Sequence, residues 1–200
     1  LPGSWLLATA GFCLLLVIGL FLRGGFWSAY FRRPRFPSLS IARTEFQRLS
    51  VFEKRLLAAL TLTTALVGIL NFVVLVFTAP HNVDSMYYHL TRVAYYLQQG
   101  HLGYYDATYW PQIVHPKNST ILQIYTYLIT GRNENLTQLV EFIAYWVAVV
   151  VVFGIAQRIG LRLSASLFAA LVFALLIQCV MQSNTTQNDI LVALYIALAV

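Results

Sequence analysis

Two aspartates stand where apolar runs meet polar loops. Asp84 comes five residues after the apolar run Leu56–Ala79, and Asp189 ends the polar stretch SNTTQND, directly before the apolar run Ile190–Val200. A charged group at the edge of a membrane is costly and is therefore a functional candidate. The structural alternative is that each acid caps a helix, since Asp is a preferred N-cap residue. The sequence contains no glycine-rich phosphate loop, His/Cys metal cluster or Ser/His/Asp pattern that would offer a competing chemistry.

The composition places these acids in an integral membrane protein. The 200 residues are 59% hydrophobic and 10% charged, and the mean hydropathy of +0.70 leaves too little polar surface to cover a soluble globule. Cys13 and Cys179 both fall in apolar runs. A small buried hydrophobe is expected there, rather than a disulfide or a metal ligand.

The positive charge is concentrated near the beginning of the chain. Eight of the thirteen Lys and Arg residues lie in Arg23–Arg55, although the net charge of the whole chain is only +6. A basic segment between two apolar runs is typical of a cytoplasmic loop under the positive-inside rule. Nucleic acid is therefore not predicted as a partner.

Several apolar runs approach or reach the length that crosses a bilayer core of roughly 30 Å. They are Trp5–Leu22, Leu56–Ala79, Leu139–Ala156 and Ser164–Met181. The first could be a signal peptide, but it lacks a basic n-region and is predicted to be retained. Arg158 and Arg162 mark the turn between the last two runs as cytoplasmic, which puts both aspartates on the external face.

The external loop 80–138 is predicted to hold helices that lie along the membrane surface. Asp84–Gln99 has helical spacing and an apolar stripe along one face. The stripe consists of Met86, Leu90, Val93, Ala94 and Leu97. Tyr104–Lys117 is aromatic and interrupted by prolines, which predicts an ordered loop packed on this helix. Ser119–Thr130 reaches only about 18 Å as a helix, so it is predicted to be a juxtamembrane helix.

The order of these features resembles a known superfamily. The stretch "PHNVDSMYYHLTRVAYYLQQGHLGYYDATYWPQIVHPKNSTILQIYTYLITG", followed two spans later by "TTQNDILVALYIALAV", resembles the GT-C glycosyltransferases. The nearest branch is the polyprenyl-phosphate-dependent group that contains aminoarabinose transferases and protein O-mannosyltransferases. The resemblance covers Leu56–Val200 and implies an all-α fold, a polytopic transmembrane helical bundle with an external loop of amphipathic juxtamembrane helices.

The resemblance also implies a division of the chain. Residues 1–55 are expected to form an extra N-terminal span and a basic cytoplasmic loop, and residues 56–200 the N-terminal part of the catalytic module. The last apolar run, Ile190–Val200, stops after eleven residues. Because a helix cannot end in mid-bilayer with unsatisfied carbonyls, we expect the module to be truncated in this helix.

The activity that the resemblance implies is inverting transfer of a sugar from a polyprenyl-phosphate-linked donor to a lipid, glycan or protein acceptor. Asp84 is the expected general base, because a carboxylate can take the acceptor's proton during attack. Asp189 is expected to position the acceptor or a metal. Cations would face the departing phosphate and stabilise its developing charge. The expected donor-phosphate residues are Lys117, Arg92 and Arg132, and the expected substrate-binding residues are Tyr87, Tyr88 and His115.

Alternatives for these roles follow from the membrane setting. Lys117 could snorkel to lipid headgroups, Arg92 could bind lipid phosphate nonspecifically, and the tyrosines could form an interfacial aromatic belt. Some relatives carry a second acid directly after the first, where this sequence has Ser85. A divalent metal, with Asp84, Asp189 and His115 as its ligands, therefore stays an open cofactor question.

The expected location is a bacterial plasma membrane, as a multi-pass protein with its site on the external or periplasmic face and in contact with membrane lipids. The alternative function is a non-enzymatic transporter or flippase subunit, in which acids within the membrane mark an ion or substrate path. Transporters usually place polar groups in broken helices near mid-bilayer, whereas here the two acids are predicted at the surface.

Overall fold

Helices are the only regular elements in the part of the chain that the structure describes. The computed structural model describes residues 39–199, and these contain helices but no strand. The all-α prediction is confirmed for these residues. The predicted span Trp5–Leu22 and residues 23–38 of the basic loop lie outside them. The chain divides into two units, residues 1–41 and 42–200.

Two helices open the described part, α1 (Leu39–Arg48) and the 27-residue α2 (Val51–Phe77). A capping box begins α2. The Ser50 hydroxyl accepts a hydrogen bond from the Glu53 N–H at 3.2 Å, and the Glu53 carboxylate accepts one from the Ser50 N–H at 2.9 Å. The helix therefore starts five residues before the predicted span Leu56–Ala79, because polar capping residues and not hydropathy decide where it begins.

The predicted surface helix forms, with an unusual first turn. A π-helical turn, Ser85–His89, leads directly into α3 (Leu90–Gln99). Gly100 ends α3 at φ +72°, a left-handed conformation that glycine adopts without steric cost. The helix predicted over Asp84–Gln99 is therefore confirmed, and its π-helical start is of a kind often found near functional sites.

The next segment packs against α3. It consists of the short helix α4 (Pro111–Val114) and the 12-residue α5 (Asn118–Ile129). α5 confirms the helix predicted over Ser119–Thr130 and is only about 18 Å long. Ile124 of α5 joins Val93 and Tyr96 of α3 in a small buried cluster.

Within residues 39–199, two helical segments are long and apolar enough to cross a membrane. One is α2, and the other is Asn135–Arg158, where a 3₁₀ turn (Asn135–Gln138) continues into α6 (Leu139–Arg158). They correspond to the predicted spans Leu56–Ala79 and Leu139–Ala156. Gly68 lets α2 approach α6 closely, since a Cβ at this position would lie 2.5 Å from the Trp146 ring.

The predicted span Ser164–Met181 is wrong as a single helix. The structure divides it into α7 (Leu163–Ala174) and α8 (Ile177–Gln182), with Leu176 in an extended conformation between them. The break leaves the carbonyl of Ala174 without its helical partner, and the Tyr145 hydroxyl of α6 donates a hydrogen bond to it. A hydropathy pattern does not detect this break, because the residues on both sides of it are apolar.

The last helix, α9 (Asp189–Leu198), packs on α6 and completes the main core. Small side chains on α6 and α7 allow the helices to approach closely. The core residues are Ala144, Tyr145, Ala148, Ala174, Ile190, Leu191 and Leu194.

Candidate functional site

The loop 183–188, between α8 and α9, is hydrogen-bonded to the π-helical turn that follows Asp84. The Ser85 hydroxyl accepts a hydrogen bond from the Thr186 N–H at 3.0 Å. Nε2 of Gln187 donates to Oδ2 of Asp84 at 2.7 Å. Because Asp189 directly follows this loop, the structure brings the segments that carry both predicted acids together.

Two further helices hold the loop 183–188 in place. From α5, Nε2 of Gln123 donates to the Thr186 carbonyl at 2.7 Å. From α2, Nδ2 of Asn71 donates to the Ser183 hydroxyl at 3.2 Å, and Oδ1 of Asn71 accepts from Asn184 at 2.6 Å. Ser183 and Thr186 are fully buried. The loop is therefore fixed by hydrogen bonds to three separate elements.

Tyr88 lies within electrostatic reach of both acids. Burial raises the pKa of the Tyr88 hydroxyl above its ordinary value, and the negative charges of Asp84 and Asp189 raise it further. The phenol is therefore neutral near pH 7 and remains a hydrogen-bond donor. Asp189 itself is exposed and accepts a hydrogen bond from Nε2 of Gln182 at 2.9 Å.

Neither acid caps a helix through its side chain. Asp84 has a helical backbone, with φ −64° and ψ −38°, and makes no capping hydrogen bond. Asp189 is already the first residue of α9, and the N-cap position belongs to Asn188, which makes no such bond either. The capping alternative from the sequence is therefore not realised at either position.

Arg92 is buried and hydrogen-bonded within the protein. Its guanidinium donates to the carbonyls of Pro111 and Gln112, both at 2.8 Å. It also donates to the Pro116 carbonyl at 3.2 Å and to the Thr120 hydroxyl at 3.3 Å. The side chain is completely inaccessible to solvent. This arrangement fastens the loop Tyr104–Lys117, which contains α4 and is called the α4 loop, to α3, and it does not present Arg92 to a phosphate.

Lys117 and Arg132 flank opposite ends of α5. Nζ of Lys117 donates to the Leu102 carbonyl at 3.1 Å and lies 4.8 Å from the centre of the Tyr104 ring. Lys117 is partly exposed. Because the Leu102 carbonyl and the Tyr104 ring are both neutral, they leave the positive charge of the ammonium group unbalanced. Arg132 is exposed beyond the other end of the helix, with φ +68°. About 18 Å of helix separates the two, and they do not converge on one point.

Aromatic rings gather next to the acids. The Tyr88 ring stacks on His115 at 5.2 Å, and the exposed Tyr87 meets Tyr109 edge to face at 6.1 Å. The ring of Trp110, the residue next to Tyr109, stacks on the ring of His115, with 6.2 Å between the ring centres. The three predicted substrate-binding residues thus lie in one group of contacting aromatic rings.

The apolar stripe predicted on the surface helix lines a groove of about 340 Å³. Residues of α3 and of the π-helical turn form one wall. The rest is formed by Ala79, Pro80, Tyr127, Thr137 and one acid, Glu134. Most of this lining is apolar, which suits a hydrocarbon chain rather than a polar ligand.

The structure adds residues that the sequence reasoning did not select. Gln187 was not among the predicted site residues, although it lies in the polar stretch SNTTQND, which Asp189 ends.

Glu141 is 1% exposed, and neither carboxylate oxygen forms a hydrogen bond of normal geometry. It faces the N–H groups of Ile190 and Leu191 in the first turn of α9. An acid just inside an apolar run was the only sequence signal for this residue.

His89 is a second buried titratable group. Burial, together with the positive charge of Arg92, lowers the pKa of His89 to about 3. Neither ring nitrogen has a hydrogen-bond partner, and the ring lies 4.1 Å from that of Tyr88. His89 is therefore neutral near pH 7 and supports the aromatic group by packing.

The three predicted metal ligands have other partners in the structure. Among residues 39–199, no group of three or more His, Cys, Asp and Glu side chains could hold a metal ion. The His115 ring stacks with the rings of Tyr88 and Trp110. Each aspartate accepts a hydrogen bond from a glutamine side chain.

Comparison of the chain with family models, with curated proteins and with solved structures finds no match.

Proposed function

We propose that the protein is a membrane glycosyltransferase of the GT-C kind, which transfers a sugar from a polyprenyl-phosphate donor to an acceptor at the outer membrane face. One observation carries this proposal: Gln187 and Ser85 tie the Asp189 loop to the Asp84 segment, beside a cluster of aromatic rings. A paired-acid site on fixed elements is suited to catalysis, since small errors in positioning cost much of the rate. The fold proposed for the whole protein is a polytopic helical bundle.

In this proposal Asp84 is the general base. The acceptor oxygen attacks the anomeric carbon of the donor sugar while Asp84 takes the acceptor's proton. The bond from the anomeric carbon to the phosphate oxygen breaks, and the lipid phosphate leaves with the electron pair. Gln187 holds one carboxylate oxygen and leaves the other for the acceptor. Asp189 orients the acceptor from the opposite segment.

Lys117 is the cation that we assign to the leaving phosphate. Its present partners are neutral, and it stands at the N-terminal end of α5, where the helix dipole favours negative charge. Arg92 acts instead as a positioning residue through the α4 loop. The apolar groove along α3 provides a place for part of the polyprenyl chain.

The decisive experiment is the substitution Asp84→Asn in the full-length protein. We expect sugar transfer to fall by at least about a hundredfold, a typical loss for a general base. Donor-lipid binding and folding should change little, since Asn keeps the size and can still contact Gln187. Transfer is measured in proteoliposomes with labelled donor lipid, and Asp106→Asn, an exposed acid of the same loop, is the matched control. Near-normal turnover of the Asp84 variant would overturn the proposal.

The break between α7 and α8 favours a second candidate, a transporter or flippase, because such proteins use broken helices. The freed Ala174 carbonyl, however, is taken by Tyr145. A transporter is distinguished by movement of labelled lipid or solute across proteoliposomes in the absence of any acceptor. A transferase should show no such flux.

A further inference from the structure

Three aromatic rings form a nearly parallel stack that leads away from the acids. Tyr88 and His115 are 5.2 Å apart and tilted by 18°, and His115 and Trp110 are 6.2 Å apart and tilted by 17°. Tyr88, at the inner end, interacts with the charges of both aspartates. Trp110, at the outer end, is 65% exposed. We call these three residues the aromatic stack.

The outer part of the aromatic stack is rigidly mounted. Trp110 and His115 flank the short helix α4, and the buried guanidinium of Arg92 binds the carbonyls of Pro111, Gln112 and Pro116 between and beside them. Nε2 of Gln112 also donates to the Tyr87 carbonyl on the π-helical turn. An exposed ring on such a mount loses little conformational entropy when it binds a ligand.

We infer that Trp110 provides a stacking surface for a pyranose ring. One face of a pyranose is made of C–H groups that pack on an indole, while its hydroxyls remain free for polar partners. The aromatic stack connects this surface to Tyr88 and so to the acids, whereas a lipid chain would gain nothing from that connection. The inference rests on the proposed function and deepens it, because it assigns a sugar subsite to a residue outside the catalytic pair.

The sugar could belong to the donor or to a glycan acceptor, and both present the same chemistry to Trp110. The test therefore compares Trp110→Phe, which keeps a ring, with Trp110→Leu, which keeps only an apolar contact. Both are made in the full-length protein, with the exposed neighbour Val114→Ala as the control. Steady-state kinetics are measured with each substrate varied in turn.

We expect Trp110→Leu to raise the KM for one substrate by about tenfold, which corresponds to about 1.4 kcal/mol of binding energy, with kcat little changed. Trp110→Phe should recover most of this loss. A change confined to the donor KM assigns the sugar to the donor, and a change confined to the acceptor KM assigns it to the acceptor. An unchanged KM for both substrates, or equal effects of Leu and Phe, would overturn the inference.

A binding measurement separates this inference from the proposed function. The dissociation constants of a sugar-bearing polyprenyl phosphate and of the same lipid without the sugar are compared in wild type and in Trp110→Leu. If the stack binds the donor's sugar, the substitution removes the preference for the sugar-bearing lipid. If Trp110 is only an interfacial anchor, both constants change equally, and the inference fails. Loss of transfer in Asp84→Asn together with unaltered KM values in Trp110→Leu would overturn the inference and leave the proposed function standing.

Discussion

Asp84 and Asp189 differ in their surroundings although both stand at the end of a polar loop. Asp84 is partly buried, and its partner Gln187 belongs to a loop that is fixed from three sides. Asp189 is exposed, and its partner Gln182 lies at the end of α8. A base must be held within hydrogen-bonding reach of the proton that it removes. The better fixed Asp84 is therefore the stronger candidate for this role.

The hydrogen bond from Gln187 gives a prediction at this scale. Gln187→Leu should lower kcat by about tenfold, because loss of one orienting contact leaves Asp84 less well placed. The donor KM should change less, since Gln187 does not bind the donor in this proposal. Gln178→Leu, an exposed glutamine of α8, serves as the control. An unchanged kcat in Gln187→Leu would show that this contact does not position the base.

His89 predicts how stability depends on pH. Its pKa of about 3 in the folded protein lies below the ordinary value of 6.5. The unfolded state therefore binds a proton that the folded state does not, and stability falls as the pH falls from 6.5 toward 3. Thermal unfolding of the detergent-solubilised protein should show this decline. His89→Phe, which loses no hydrogen bond, should make it shallower, whereas the exposed His81→Gln should not. Equal slopes in all three proteins would contradict the assignment.

At the scale of the elements, the fold holds the candidate site through loops and not through its longest helices. Arg92 fastens the α4 loop to α3, and Asn71 of α2 fastens the loop 183–188. In the sequence, the α4 loop is aromatic and the loop 183–188 is polar, which distinguishes both from the apolar runs. It could not indicate that a basic residue would serve as a buried anchor, because an arginine beside a membrane is more often a lipid contact.

The contact between α2 and α6 gives a prediction about packing. Gly68→Ala places a Cβ 2.5 Å from the Trp146 ring, so the packed ring or the helix that carries it must move, at a cost of about 1–3 kcal/mol. Gly154→Ala is the matched control, because no heavy atom lies within 4 Å of the Cβ position. There the higher helix propensity of Ala should leave stability equal or raise it by up to about 1 kcal/mol. The thermal unfolding temperature should therefore fall in Gly68→Ala and stay equal or rise in Gly154→Ala.

At the scale of the whole molecule, the proposed function requires both acid-bearing segments on the outer face of the membrane. In the part of the chain that the structure describes, two helical segments have the length and composition to cross a bilayer, α2 and Asn135–Arg158. The turn after α6 carries Arg158 and Arg162, which favour the cytoplasmic side. The proposed topology therefore places the α4 loop and this turn on opposite sides.

Cysteine labelling tests this topology. Thr108 lies near α4 and Ile159 in the turn after α6, and both are exposed. In right-side-out vesicles, with Cys13 and Cys179 replaced by Ala, a membrane-impermeant maleimide should label Thr108→Cys and not Ile159→Cys. Inverted vesicles should show the reverse. Labelling of both positions from one side would contradict the topology and, with it, the proposed function.

The sequence by itself determined the helical class, the helix that ends at Gly100, the short α5 and the two acids at the edges of apolar runs. These features depend on hydropathy, chain length and helix-ending residues, which act locally. Only the tertiary structure decided that α7 and α8 are separate, that Arg92 is an anchor and that Gln187 contacts Asp84. These outcomes depend on hydrogen bonds between distant residues, as in the Gln187–Asp84 pair, which is separated by 103 positions. Local patterns do not encode such pairings, because each partner is chosen by the packing of the other helices.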